Sequence, residues 1–196
     1  GSDVLKNVLI NMRRKIESLG GEMRFKSKVT SLRIRNGKIT GVIVNGNEEI
    51  DTDVVILAIG HSARDTFESL LKQGVGFVQK PFSIGVRIEH PQELINRAQY
   101  GEMAEHPRLR TADYQLFYKT GTRTVYSFCM CPGGLVVAAA SEPCTIVTNG
   151  RSEFARDKEN ANSALVVSVG PEDFGGAHPL AGIEFQRRWE RLAFDI

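Results

Sequence analysis

The sequence predicts an α+β fold, and three observations carry that prediction. Residues 3–19 repeat apolar side chains at three- and four-residue spacing, as an amphipathic helix does. Residues 29–59 read as short β segments punctuated by Asn36-Gly37 and Asn45-Gly46, closing on an unbroken apolar run, Val54–Ile59. Residues 113–169 hold further strand-like runs joined by glycine-containing turns, the pattern of an antiparallel sheet.

The first helix is read over Asp3–Leu19, with Val4, Leu5, Val8, Leu9, Met12, Ile16 and Leu19 on one face. Ser2 or Asp3 is placed to cap it, and Gly20-Gly21 stops it. A short strand is expected over Glu22–Lys26. The segments Val29–Arg35, Ile39–Val44 and Glu48–Ile50 are β-branched and partly alternating, and Asn-Gly suits the tight turns between them. They predict a three-stranded antiparallel meander, with Lys28, Arg33, Arg35 and Lys38 facing solvent. The meander leads to Val54–Ile59, whose continuous apolar character predicts a strand buried on both faces.

Gly60 follows that run and permits a sharp turn or a close backbone approach. Ser62 then stands as the cap of a helix over Arg64–Gln73, with Phe67, Leu70 and Leu71 inward. Strand, glycine turn and capped helix together are one way to offer backbone N–H groups to a phosphate-bearing cofactor. A buried strand that simply precedes a helix has the same spacing.

A change of character at Lys80-Pro81 predicts a domain boundary, dividing the chain into residues 1–78 and 79–196. Phe82–Glu89 alternates, with Val86, Ile88 and His90 on one face and Gly85, Arg87 and Glu89 on the other. A short helix is expected over Pro91–Gln99, then irregular chain to Thr111. Strands are expected over Asp113–Lys119, Arg123–Cys129, Leu135–Ala140, Thr145–Thr148 and Ser163–Val169. Glu153–Asn162 reads as loop or helix, and Ile183–Phe194 has helical spacing.

The composition of the 196 residues, 41% hydrophobic and 24% charged, is that of a globular protein able to bury a core without disulfides. A formal net charge of +2 exerts no general pull on nucleic acid or membranes. No basic stripe with interleaved aromatics points to nucleic acid either. No apolar run approaches the roughly 20 residues that span a bilayer, and the N-terminus lacks the order of a signal peptide. Three cysteines without disulfide spacing suit a reducing compartment, so a cytoplasmic protein is expected.

Cys129-x-Cys131 and Cys144 do not make a metal site, because zinc sites want four ligands in spaced pairs. Cys131-Pro132-Gly133-Gly134 reads instead as a turn that brings backbone close to a ligand or another strand. His61, beside the glycine turn, could act as acid or base, hydrogen-bond a cofactor, or be an exposed loop residue. Arg156, Asn160 and Asn162 lie in a polar stretch; arginine there could hold an anion and asparagine could read a carbonyl, or the stretch is a solvated loop.

Seven stretches carry a resemblance: Asp3–Phe25, Ala58–Asp65, Gly85–Pro91, Tyr126–Gly134, Thr148–Gly150, Asn160–Leu165 and Pro179–Gln186. Together they resemble the bacterial uncharacterised FAD-dependent dehydrogenases, the "NAD(FAD)-utilising dehydrogenase" family, in which a Rossmann-like FAD domain carries an inserted substrate domain. The chain departs from that family by lacking both the N-terminal G-x-G-x-x-G and the C-terminal FAD segment.

The resemblance therefore implies the middle of a longer flavoprotein, with an interior part of the FAD-binding domain over 1–78 and an inserted substrate-type domain over 79–196. It places Ala58, Gly60, His61 and Ser62 beside FAD. It places Cys131, Gly133, Gly134, Arg156, Asn160 and Asn162 on the substrate side. No catalytic residue carries over.

The parent is expected to be an oxidoreductase of a small-molecule substrate, with NAD(P)H as a candidate partner and homo-oligomerisation open to it. This fragment is expected to be inactive and to retain no FAD. The alternative expectation is a non-catalytic binding or oligomerisation module.

Overall fold

A computed structural model describes residues 1–196. In chain order it contains α1 (Ser2–Ser18), β1 (Val29–Arg35), β2 (Lys38–Val44), β3 (Glu48–Asp51), α2 (Arg64–Lys72), β4 (Phe82–Pro91) and α3 (Gln92–Tyr100). A short 3-10 turn at Gly101–Met103 follows, then β5 (Phe117–Lys119), β6 (Thr124–Cys131), β7 (Gly134–Ala138), β8 (Thr148–Ser152), β9 (Asn160–Val169) and α4 (Ala181–Phe194). The fold is α+β, and its strands pair antiparallel in three sheets.

The first sheet is the expected meander, in the order β1-β2-β3. Asn36 and Asn45 adopt φ of 51° and 52°, the left-handed geometry that two-residue hairpins require. Val42 and Val44 of β2 are buried, and α2 packs against β1 with Leu70 inward. Arg33 is not merely solvated: its guanidinium pairs with Asp51 at 2.6 Å and also with Glu49, across the meander.

The second sheet runs β4-β9-β6-β5. β9 is its spine. It pairs with all of β4, from Phe82 opposite Val169 to Pro91 opposite Asn160. On its other side it pairs with β6 until a bulge between Phe128 and Cys131, where Cys129 turns to φ 51°. The core gathers at one end of this sheet: Val169, Phe174 and Ala181 are buried among Phe82, Ile84, Val167 and Phe185. The Phe82 and Phe174 rings stack with centroids 5.1 Å apart. The third sheet, the β7-β8 ribbon, packs beside β9.

Several expectations fail for physical reasons. Val54–Ile59 is not a strand; Val54 is 68% and Ile56 87% exposed. A strand buried on both faces needs neighbours, and the meander sheet ends at β3 with no further strand of this chain alongside. Helix α1 forms as its periodicity demands, yet none of its residues is buried, because no element covers its apolar face. Its start has no side-chain cap; the Asp3 carboxylate accepts the Phe154 N–H at 2.9 Å instead. Ser62 does not cap α2 either, since Ala63 occupies the cap position.

Glu22–Lys26 is irregular, and Asp113–Lys119 is strand only over its last three residues. The strand expected at Thr145–Thr148 instead spans Thr148–Ser152, with Asn149-Gly150 inside the ladder rather than at its end. No helix is long and apolar enough to cross a membrane.

Candidate functional site

β4, β9, the segment Ile146–Thr148 and α4 enclose a groove of about 480 Å³. That size falls within the range of small-molecule sites. In the β4–β9 register Gly85 lies opposite Val166 and Arg87 opposite Ala164, so these four share one face of the sheet. Gly85 and Ala164 on this face leave part of the space that Trp189 and Ala193 border from α4. The Ile146 N–H donates to the Glu190 carbonyl at 3.0 Å, which ties the loop wall to the helix wall.

His61 lines the groove from the turn after the meander. Gly60 before it has φ 69°, and a Cβ built there would meet nothing within 4 Å. The turn is thus left-handed and open to the outside, and its φ disfavours any residue with a Cβ. Ser62 Oγ accepts a hydrogen bond from Ser141 Oγ at 2.8 Å, pinning the turn to the loop after β7. Ala58, on the other side of Gly60, is exposed and does not line the groove.

Beneath that turn lies an ionic cluster that the sequence did not signal. Arg64, only 2% exposed, donates to Glu142 and to both carboxylate oxygens of Glu190, and to Gln186 at 3.2 Å. Arg187 joins Glu142 at 2.7 Å, Glu68 at 3.0 Å and Glu184 at 2.6 Å. Hydrogen bonds from Arg187, then Arg64, pull the Glu142 carboxyl down to about 2. The cluster locks α2, the loop after β7 and α4 together, and so holds His61 against the groove.

Arg87, on the groove wall, also belongs to a buried polar cradle. Asn162, fully buried, accepts a hydrogen bond on Oδ1 from Arg87 Nη1 at 2.8 Å. Arg87 Nη1 also reaches the Cys129 carbonyl at 3.3 Å, an oxygen that the Cys131 thiol shares at the same distance. A Cβ on Gly150 would fall 2.5 Å from Arg87 Nη1, 2.5 Å from Asn162 Oδ1 and 2.6 Å from Cys131 Sγ. Only glycine fits there. Burial pushes the Cys131 thiol pKa up, and the nearby Arg87 charge opposes this.

Gly133 and Gly134 are buried. The Gly133 N–H donates to Gln92 Oε1 at 2.8 Å, and Gln92 Nε2 in turn donates to the Ala112 carbonyl at 2.9 Å. The turn does bring backbone close to backbone: a Gly133 Cβ would stand 1.9 Å from the Arg156 carbonyl oxygen.

Arg156 itself has φ 54°, and its side chain extends to within 3.9 Å of Asp113. Asn160 opens β9, half-buried, opposite Pro91.

Of the residues singled out from the sequence, His61 alone lines the groove. Cys131 and Asn162 come together with Gly150 and reach the groove only through Arg87. Gly133, Gly134, Arg156 and Asn160 lie behind that layer and do not line it. The residues that sequence reasoning missed are Arg87, Gln92 and Arg64. Arg87 had one available signal, a cation on the same strand face as a glycine; Arg64 and Gln92 had none, because their partners are distant in sequence.

The family model described as "FAD-dependent protein, C-terminal domain-like" matches residues 81–196. A protein of Clostridium beijerinckii, described as an uncharacterized protein, is 55% identical over 198 residues, an alignment that takes in 100% of this chain and 37% of that protein. The chain thus spans little more than a third of that relative's length. Since the match runs over more than half of its residues, from β4 through α4, the chain belongs to the FAD-dependent protein, C-terminal domain-like family.

Proposed function

We propose that this chain is part of a FAD-dependent oxidoreductase, a dehydrogenase of a small-molecule substrate, in which the Gly60-His61-Ser62 turn adjoins the flavin and the groove beside it receives the substrate. The observation that carries the reading is the placement of His61, from the turn after the meander, on the wall of a ligand-sized groove built by the family-matched residues. The open left-handed turn at Gly60 suits a flat cofactor at van der Waals distance. When bound, FAD supplies the capacity to accept a hydride. The chain's own part is positional: His61 offers a ring nitrogen at the groove, and the Arg64–Glu142–Arg187–Glu190 cluster keeps it there.

On this reading residues 1–78 belong to the FAD-binding domain and residues 79–196 to an inserted substrate domain. NAD(P)H is the electron partner to try first, the protein works in the cytoplasm, and the 196 residues alone are inactive and retain no FAD.

Absorbance from roughly 300 to 550 nm tests the reading, because flavin is the group expected to carry the chemistry. Flavin bands in a full-length protein of the Clostridium type, and none in this chain, are the expected result. A colourless full-length protein would overturn it. That outcome would favour a binding or oligomerisation module, a reading supported by the exposed apolar face of α1, where Leu5, Leu9 and Met12 are each more than half exposed.

A further inference from the structure

Arg87 is half-buried and has no carboxylate within ion-pair distance. Nη1 is spent on two neutral oxygens, Asn162 Oδ1 and the Cys129 carbonyl. Nε is buried without any partner, and Nη2 makes no bond within the protein. Nη2 is thus the guanidinium nitrogen left free for a charge-assisted hydrogen bond to a carboxylate. A desolvated charge left without a counter-ion is costly, and proteins seldom keep one without a use.

Arg33, Arg64, Arg123 and Arg187 all sit against carboxylates, and the half-buried Arg13 lies over the Phe25 ring. Arg87 has neither kind of partner. It nevertheless lines the groove, whose other walls include Val86, Ile146, Val166 and Trp189. The one carboxylate of the groove, Glu190, is already held by Arg64 through both oxygens. An entering anion therefore meets one uncompensated positive charge in a groove whose lining is mainly apolar.

We infer that the groove binds an organic monocarboxylate with an apolar body, its carboxylate accepting from Nη2 of Arg87 and its body between β4–β9 and Trp189. Asn162 and Gly150 are positioning residues in this arrangement. Asn162 anchors Nη1 and so fixes the guanidinium, and Gly150 leaves the room in which it lies. A single guanidinium matches a single negative charge, and no second cation in the groove would serve a phosphate dianion. The inference deepens the reading above by naming its substrate class, but its test requires no flavin, so the two can fail separately.

Trp189 is the sole tryptophan of the chain and borders the groove, so it reports occupancy directly. The 196-residue protein is titrated with octanoate, octanamide and inorganic phosphate, followed by Trp189 fluorescence and by calorimetry. Octanoate is expected to bind at least about tenfold more tightly than octanamide, the size of a charge-assisted contact, and phosphate is expected not to compete. Arg87→Gln should lose that preference, and Arg87→Lys should retain part of it. Ala193→Leu, on the exposed surface of α4, should weaken octanoate by filling the trough without disturbing Arg87.

Equal binding of octanoate and octanamide would overturn the proposal, and so would no binding of either. Competition by phosphate would overturn the apolar-carboxylate assignment. Because the octanoate–octanamide comparison is made on the unmodified protein, the result stands even if Arg87→Gln folds poorly. The colour of the full-length protein bears on none of these outcomes.

Discussion

Arg64 at the start of α2 and Glu190 on α4, 126 residues apart, meet through two hydrogen bonds of 2.6 and 2.9 Å between the guanidinium and both carboxylate oxygens. This contact is a principal tie between the meander end of the chain and the family-matched residues. His61 precedes Arg64 by three residues, and Glu190 lines the groove with it.

Arg64→Met should therefore cost about 3 kcal/mol of stability, because it strands the largely buried Glu190 carboxylate without its counter-ion. Urea denaturation followed by circular dichroism measures it. The double variant Arg64→Met, Glu190→Leu should recover much of the loss by removing the orphaned charge as well. A loss no larger than that of an exposed ion pair would show that the clamp is solvated.

The same cluster predicts an acid limit. Glu142 is held at about 2 in the folded protein against an ordinary value of 4.5. A carboxylate lowered on folding contributes stability that is complete above about pH 4.5 and is lost as pH falls towards 2. The thermal midpoint should fall through that window, and the fall should be shallower in Glu142→Gln, which has no carboxylate to protonate. Equal slopes for the two proteins would place the acid sensitivity elsewhere.

The three free cysteines should separate kinetically. Cys129 and Cys144 are exposed, whereas Cys131 is buried and its thiol pKa is raised by that burial. A thiol-disulfide reagent at neutral pH should modify two thiols rapidly and the third only slowly, with all three rapid in denaturant. If octanoate occupies the groove, it should slow the third further by holding Arg87 and the cradle around Cys131 in place. Three equally fast thiols in the native protein would contradict the packing of the cradle.

Gly60→Val in the full-length protein should lower FAD occupancy. Valine strongly disfavours the φ of 69° at this turn, and its side chain would project into the space left open there. Occupancy is read from the ratio of flavin to protein absorbance. Unchanged occupancy would remove the turn from the cofactor site.

The α+β class, the meander with its two Asn-Gly turns, and the positions of α1, α2, α3 and α4 to within a residue or two are all written in local sequence pattern. Periodicity and turn chemistry are local, so they are readable without knowing what packs where. The tertiary structure decided the rest, because burial and ion pairing depend on partners far away in the chain. The apolar run Val54–Ile59 has the composition of a buried strand but no strand beside it, so it stays irregular and largely exposed. Helix α1 has an amphipathic pattern that no neighbour uses.

His61 was legible as a candidate because it follows a glycine turn. Arg87 was legible only as a cation beside Gly85 on a strand face; that no carboxylate accompanies it is revealed only by the assembled β4–β9 face and its groove. Arg64 likewise reads as an ordinary helix-start residue until Glu142 and Glu190 arrive from 78 and 126 residues away. Charge in a sequence is a property of single residues. Whether that charge is paired, buried or free is a property of the fold.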